Sequence, residues 1–511
     1  MNKKLMLNGV FFSYAALVAQ ILYSFLSIPL GLSYLTKEEF GLWSLVGSLV
    51  AFMGLLELGI TNAFMRHFMD CKAKGDSHLY GRLFVAANLS LLGISVLILA
   101  CGFVVAFTSA SLFSVPEELY QEFRILIIGQ SAMTALGIAM GMAGAPLYVN
   151  HRQDLKQIGQ IGLFLVWFVA LYLAYRAGFG IYAGLVHQAA GILWIIPYGV
   201  INCYRNGYYP VRGTLALPAR NEWFSVLRYS RDMSVVQIAS LLIVSLPQLL
   251  LPRIMGLEAA ATWAVCTRPF AILRQIAIKP FDVALPMLCE QALKGHMKSV
   301  VKRWKEVSQI VLAASGCFFS VAATNNTRFI ELWTDGKISW DITNDWMISL
   351  YFYVYGIANV AFGMISVSKN LGFMRFVPLF QVAFSFALAI PLTIFWGIAG
   401  LLLGMTVPFM FCMITFGIRD VGKITGQAIR PLVMEGILRP SLALPVAIAA
   451  AWACSHLACL LPGYFGLALS SGTGFLAAAV FTALIAMSRD VRAEITDMAM
   501  RPLRRFFAKP T

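Results

Sequence analysis

About fourteen stretches of roughly twenty apolar residues follow one another along this chain, separated by short charged or Gly/Pro-containing breaks. Twenty apolar residues in a helix match the roughly 30 Å hydrocarbon core of a bilayer. Because hydrocarbon offers the backbone no partners, each stretch has to satisfy its own N–H and C=O groups, which a helix does. The expected spans are Gly9 to Ser33, Phe40 to Phe64, Leu83 to Thr108, Phe123 to Val149, Ile158 to Tyr175, Ile181 to Cys203 and Met233 to Ile254. The series continues with Ala260 to Leu288, Val307 to Asn325, Trp346 to Ser368, Phe376 to Trp396, Gly397 to Ile418, Ser441 to Leu461 and Gly466 to Ser488. The balance of residues agrees: 12% are charged, against about a quarter in soluble domains. The expected class is an all-α integral membrane protein, with the first apolar run retained as a span because it is too long for a cleaved signal.

The formal charge of +15 does not point to nucleic acid, because the cations are spread over many short loops, where they act as topology determinants. With the N-terminus inside, about thirty of the 39 Lys and Arg fall in cytoplasmic segments. Both termini are then cytoplasmic, and the basic tail from Arg489 to Lys509 is expected either to lie on anionic lipid or to be a disordered basic tail. None of the nine cysteines forms a CxxC pair, so neither a metal site nor a disulfide framework is implied. There is no GxxxxGK[ST], HExxH or GxSxG with partners, and no soluble domain to hold a nucleotide. No cofactor is expected.

One span breaks the apolar rule. Ala260 to Leu288 carries Arg268, Arg274, Lys279 and Asp282, and each ionisable group in hydrocarbon costs about 2.5–3.5 kcal/mol on insertion scales. At about 100° per residue, Arg268, Gln275, Lys279 and Asp282 fall on one stripe while Arg274 projects elsewhere. The stripe suits a wet, electropositive cavity; the plain alternative is that Lys279 and Asp282 pair locally and the arginines snorkel. Pro269, Pro280 and Pro286 are expected to kink this span. In the second span Glu57 is the one acid, followed by Arg66, and is either a protonatable coupling site or a salt-bridge partner. Amides and a histidine in other spans, Gln130, His187, Gln188, Asn359 and Gln381 among them, are by default interhelical hydrogen-bonding groups.

A single shift of 220 residues brings Glu38 onto Glu258, Trp43 onto Trp263 and Lys74-Gly75 onto Lys294-Gly295. This divides the chain into a six-helix bundle (1–215), a second related by a parallel repeat (216–425), and helices 13 and 14 with the basic tail (426–511). The segment Tyr204 to Asp232 becomes a hinge-like linker, with the substrate crevice expected between the halves.

Phe40-Gly41, then Glu57-Leu58-Gly59 and Arg66, follow a pattern that resembles the polysaccharide transporter family. These are the O-antigen type, lipid-linked oligosaccharide flippases of the multidrug/oligosaccharidyl-lipid/polysaccharide (MOP) exporter superfamily; Glu57 stands where the pattern has Asp more often. The resemblance implies a MATE-like pair of six-helix bundles related by a pseudo-twofold repeat, with two extra helices, in a bacterial inner membrane. It implies alternating access that moves a polyprenyl-diphosphate-linked glycan outward, and partners among membrane lipids and the polysaccharide polymerase and chain-length machinery. Arg268, Arg274 and Lys279 are then assigned to the headgroup phosphates, with Gln275 beside them for phosphate or sugar, and H+ or Na+ coupling through Glu57 or Asp282 stays open. The electrical sign suits such a cargo, since an anion moves outward downhill by about 2.3 kcal/mol per charge per 100 mV. Two rivals stand: a MATE-type multidrug cation antiporter, although the first and seventh spans lack the acids a cation needs, and a membrane glycan polymerase or ligase using charges in the loop Asn326 to Asp345.

Overall fold

The computed structural model describes residues 3–493 except 58–59, 110–112, 114, 151, 218, 220–237, 240, 294, 365–375, 459–460, 462 and 490. Helices account for nearly all of it. In chain order they are α1 (Lys3–Tyr34), α2 (Lys37–Gly54), α3 (Ile60–Lys74), α4 (Ser77–Thr108), α5 (Tyr120–Ala139), the short α6 (Ala145–Val149), α7 (Gln153–Arg176) and α8 (Ala183–Arg205). Then come α9 (Leu241–Met255), α10 (Leu257–Cys266), α11 (Arg268–Leu293), α12 (Met297–Trp333), α13 (Ile342–Gly363) and α14 (Val377–Cys412). A group of short helices, α15 (Ile418–Thr425), α16 (Ile429–Val433) and α17 (Arg439–Ser441), leads to α18 (Leu444–Ala458) and α19 (Gly463–Ala486).

Eleven helical stretches among the described residues are long and apolar enough to cross a membrane, and one of them is two spans in one. Within α14, Gly397 takes φ 59° and ψ −137°, a conformation that side chains with a Cβ avoid. The chain reverses there: a Cβ on Gly400 would overlap the Leu392 carbonyl, and one on Gly404 would overlap the Ala389 backbone, although in a straight helix Ala389 and Gly404 would be about 22 Å apart. The division between the spans expected at Trp396 and Gly397 is therefore real. Counted with α9 and with the charged α10–α11 stretch, the helices make up about fourteen spans. Gly400→Leu should force the two arms of this hairpin apart, so the variant should accumulate poorly and elute as aggregate from a sizing column in mild detergent. A monodisperse variant at normal yield would show that the arms do not touch.

Packing divides the chain into two compact units, Met1–Ala264 and Val265–Thr511, a division of a different kind from the repeat-based boundaries at 215/216 and 425/426. In the first unit α1 lies along α7, α7 along α8, α4 along α5 and α2 across α5. Its second span is not continuous as expected: α2 ends at Gly54, a tight 3-10 turn runs Leu55–Glu57, and α3 begins at Ile60. Phe64 and Phe68 of α3 are fully buried in a cluster with α4 and α6. The linker expected to act as a hinge starts out tied down, since Tyr209 donates to the Ala143 carbonyl (2.6 Å) and Tyr80 to that of Tyr208 (3.4 Å). Its remaining residues, apart from Ala219, lie outside the described set from 218 onward.

In the second unit α12 is the axis, with α11, α13, α18 and α19 packed around it. Lipid gives helices no hydrophobic reason to associate, so close packing and polar contacts carry the job. The trailing pair is bonded to α12 along much of its length: the Ser488 amide donates to Gln309 (3.0 Å), Cys317 meets Thr482 (2.9 Å), Ser470 donates to Asn325, Tyr464 to the Leu332 carbonyl (2.7 Å), and Arg328 to that of Leu461 (2.6 Å). Because α12 runs to Trp333 and α13 starts at Ile342, the loop expected over Asn326 to Asp345 shrinks to 334–341.

The repeat is visible in helix boundaries. Helices start at Lys37 and Leu257, and again at Ser77 and Met297, both pairs 220 residues apart. Gly75 and Gly295 take φ 71° and 78° at matching turns.

Candidate functional site

The charged span divides at Thr267, the one residue between α10 and α11. Pro269 explains the place: it has no N–H to give the carbonyl four residues back and its ring crowds that turn, but it is well suited to the first turn of a new helix. Of the kinks expected at three prolines, the interruption falls at this one, while α11 runs through Pro280 and Pro286 to Leu293. All five candidate residues of the stretch consequently lie on one helix.

Arg268, Gln275, Lys279 and Asp282 are exposed and Arg274 is half-buried. Lys279 and Asp282, one turn apart, attract one another without a direct ion-pair contact among the described residues, so the plain alternative raised by the sequence stays open. Arg274 is in an unusual setting. Its guanidinium carbon lies 4.7 Å from the centroid of the Tyr355 ring and 5.7 Å from that of Phe352, and its buried Nε has no hydrogen-bond partner. No described residue hydrogen-bonds to it or pairs with it. Ring faces attract a cation by about 0.5–2 kcal/mol, but they accept none of the five N–H bonds a guanidinium can donate. Its N–H groups are left without an acceptor among the described residues.

The plate under Arg274 is built from stacked rings. Phe270, Phe319 and Phe352 stack with interplanar angles of 17–19°, and Tyr351 and Tyr355 both lean on Phe409. Helices α11 and α13 run in parallel beside each other, with Phe270 against Phe352, Arg274 against Tyr355 and Phe281 against Gly363. The plate is not among the features expected from the sequence. Its signal was present in Tyr351-Phe352-Tyr353-Val354-Tyr355, an aromatic run dense enough to face both a neighbouring helix and a cation.

A second feature fixes where α11 begins. Asp345, fully buried, accepts from Asn326 Nδ2 (2.7 Å), Trp340 Nε1 (2.6 Å), and the Thr327 amide (2.9 Å) and hydroxyl (2.6 Å). Asn326 also donates to the Cys266 carbonyl at the α10–α11 break (3.3 Å). The carboxylate thus ties the end of α12, the following loop and the start of α13 to the turn just before Arg268. Nearby Asp341 is exposed at the start of α13, where hydrogen bonds from Thr343 hold its carboxyl below the usual range.

Glu57 lies in the 3-10 turn after α2, half-buried. No described residue hydrogen-bonds or pairs with it. Leu58 and Gly59 are outside the described residues; Arg66 lies on α3, and its side chain is likewise outside them. The structure therefore places Glu57 at a helix interruption in the first unit, while Arg268, Arg274, Gln275, Lys279 and Asp282 share α11 in the second. Of the span amides, Gln130 and Gln381 are buried and each leaves one polar atom without a partner, as does His187.

This helical fold is similar to those of solved transporters. The lipid II flippase MurJ, in an inward closed conformation, superposes with a TM-score of 0.69 at 12% identity, covering 93% of this chain and 98% of that chain. The fold is shared with that flippase and with MATE family transporters. An inward-facing multidrug resistance MATE family transporter of the MOP superfamily aligns with a TM-score of 0.63 at 13% identity over 79% of this chain and 98% of its own. Its outward-facing counterpart gives 0.56 at 14% identity, covering 83% and 97%. No family model and no curated protein matches the sequence. Within the MOP fold, the charged α11 and its aromatic support are properties of this chain's own residues.

Proposed function

We propose that this protein is a flippase that carries a polyprenyl-diphosphate-linked oligosaccharide, of the O-antigen or exopolysaccharide repeat-unit kind, from the cytoplasmic to the outer leaflet by alternating access. The observation that carries the reading is Arg274: a guanidinium in a membrane span, stacked on Tyr355 and Phe352 and given no anion or hydrogen-bond acceptor by the described protein. A cation in that setting is stabilised by a ligand that brings the missing negative charge. A diphosphate offers paired oxygens for the planar fork. Lys279, exposed on the same helix, adds a mobile point charge, and Gln275 an amide suited to phosphate or a sugar hydroxyl. Arg268 is the third cation of the headgroup station. Such a lumen disfavours a cationic drug as cargo.

Lys279→Gln tests the stripe. The variant should insert normally yet leave cells with about a tenth or less of wild-type surface glycan, the loss expected of one charge-assisted contact. Lipid-linked glycan should accumulate in the same cells. Wild-type surface glycan with normal insertion would remove Lys279 from the site.

A further inference from the structure

The connection between the second arm of α14 and the trailing pair is a folded platform. The chain passes through a π-helical turn, Met413–Gly417, into α15, reverses at Gly426 (φ 64°), and returns through α16 and a second π-helical turn, Met434–Leu438. Each π turn carries a glycine set against an aromatic ring: a Cβ on Gly417 would lie 3.3 Å from Phe362, and one on Gly436 2.9 Å from Trp304. Trp304 is itself fixed by donating to the Val360 carbonyl (3.1 Å). The return limb is also held by Lys305 on Glu435 (2.7 Å) and by Gln309 on the Glu435 carbonyl (3.3 Å). The two limbs close on one another where Gly422 meets Ile429 and the Gln427 carbonyl.

What this platform displays is positive. Arg419 and Lys423, one turn apart on α15, and Arg430 on α16 are exposed, with Arg439 following the second π turn. None of the four makes a hydrogen bond or ion pair with a described residue. Of the acids on the hairpin, Glu435 is engaged by Lys305 and Asp420 is half-buried. On the limbs leading from the spans, Ile414, Met434 and Leu438 are exposed apolar residues. Cations fixed at the tip of two spans, with apolar side chains below them, match a bilayer's border, where anionic headgroups lie above acyl chains.

We infer that the α15–α16 hairpin is a docking surface for anionic phospholipid headgroups, anchoring the trailing helices in the leaflet that borders it. The cations lie on α15 and α16, whose buried Val421 and Leu432 share a core cluster with Phe281 and Leu288 of α11; charge-only substitutions on the exposed side leave that core in place, so the inference is tested apart from the cargo. Each cation near an anionic surface is worth about fivefold in affinity, so neutralising three should weaken binding on the order of a hundredfold.

The test uses the full-length protein in neutral-detergent micelles containing fluorescent phosphatidylglycerol or fluorescent phosphatidylcholine. Wild type should bind phosphatidylglycerol in preference. The Arg419→Gln, Lys423→Gln, Arg430→Gln triple variant should lose that preference, while Arg419→Lys with Arg430→Lys should keep it, because charge is read here and not fork geometry. A control with Lys37→Gln, Lys74→Gln and Arg205→Gln should bind as wild type. Unchanged binding by the triple variant, loss in the double Lys variant, or equal loss in the control would each overturn the inference. So would displacement of the lipid by millimolar inorganic phosphate, which would mark a site for free anions.

Discussion

Arg274→Lys should abolish glycan export nearly as completely as Arg274→Gln, although it keeps the charge. Lysine presents a compact ammonium that neither lies flat on Tyr355 nor offers two parallel N–H bonds to a diphosphate. Losing those bonds removes about 1.5–3 kcal/mol each, roughly ten- to a hundredfold per contact in transport at limiting cargo. The plate beneath should matter less and in graded fashion. Tyr355→Leu removes a ring face 4.7 Å from the guanidinium and should cost about fivefold, whereas Tyr355→Phe keeps the ring and should export like wild type. The measurement is initial export rate per inserted transporter. An Arg274→Lys protein that exports normally would mean that the stacked geometry has no part in recognition.

Asp345→Ala should be the most damaging single change for stability among residues outside α11. Removing the carboxylate leaves the buried Trp340 ring N–H and the two part-buried Thr327 donors without this acceptor, and leaves the Asn326 amide only the Cys266 carbonyl. Part of that loss is regained by relaxation, so the net cost should be about 3–5 kcal/mol. Asp345→Asn keeps the volume but turns a donor toward donors, and should fall between. The readouts are thermal unfolding in detergent and the reactivity of Cys266, buried and free, whose carbonyl the same network holds. In Asp345→Ala, Cys266 should label with a thiol reagent well below the unfolding temperature. A variant as stable as wild type, with Cys266 still protected, would show that the network does not brace the α10–α11 break.

The spans were legible because a bilayer demands about twenty apolar residues and the chain supplies them with few exceptions. The hairpin at Gly397 was readable for the same reason, since one apolar run was twice the needed length. The repeat was readable from a few identities at one offset, and the helix starts at Lys37 and Leu257 keep that offset. The interruption after Gly54 was hidden because hydropathy does not register a local 3-10 turn. The extension of α12 to Trp333 was hidden too, because a polar helix end reads as loop. The site divides in the same way. Charge in an apolar span exposed α11 at once, but the support for Arg274 comes from α13, about eighty residues away, where aromatic residues carry no mark separating a lipid-facing ring from a cation-bearing one. Asp345 looked like the end of a solvated loop; only the fold shows that Asn326, Thr327 and Trp340 converge on it.

Transport itself is the most direct measurement. Purified protein in proteoliposomes should carry a fluorescent polyprenyl-diphosphate oligosaccharide from one leaflet to the other, scored by its exposure to an impermeant quencher. An applied potential that drives anions in that direction should raise the rate, Arg274→Gln should remove it, and the glycan should be recovered unchanged in length. Movement no faster than in protein-free vesicles, or equal movement by wild type and Arg274→Gln, would contradict the account.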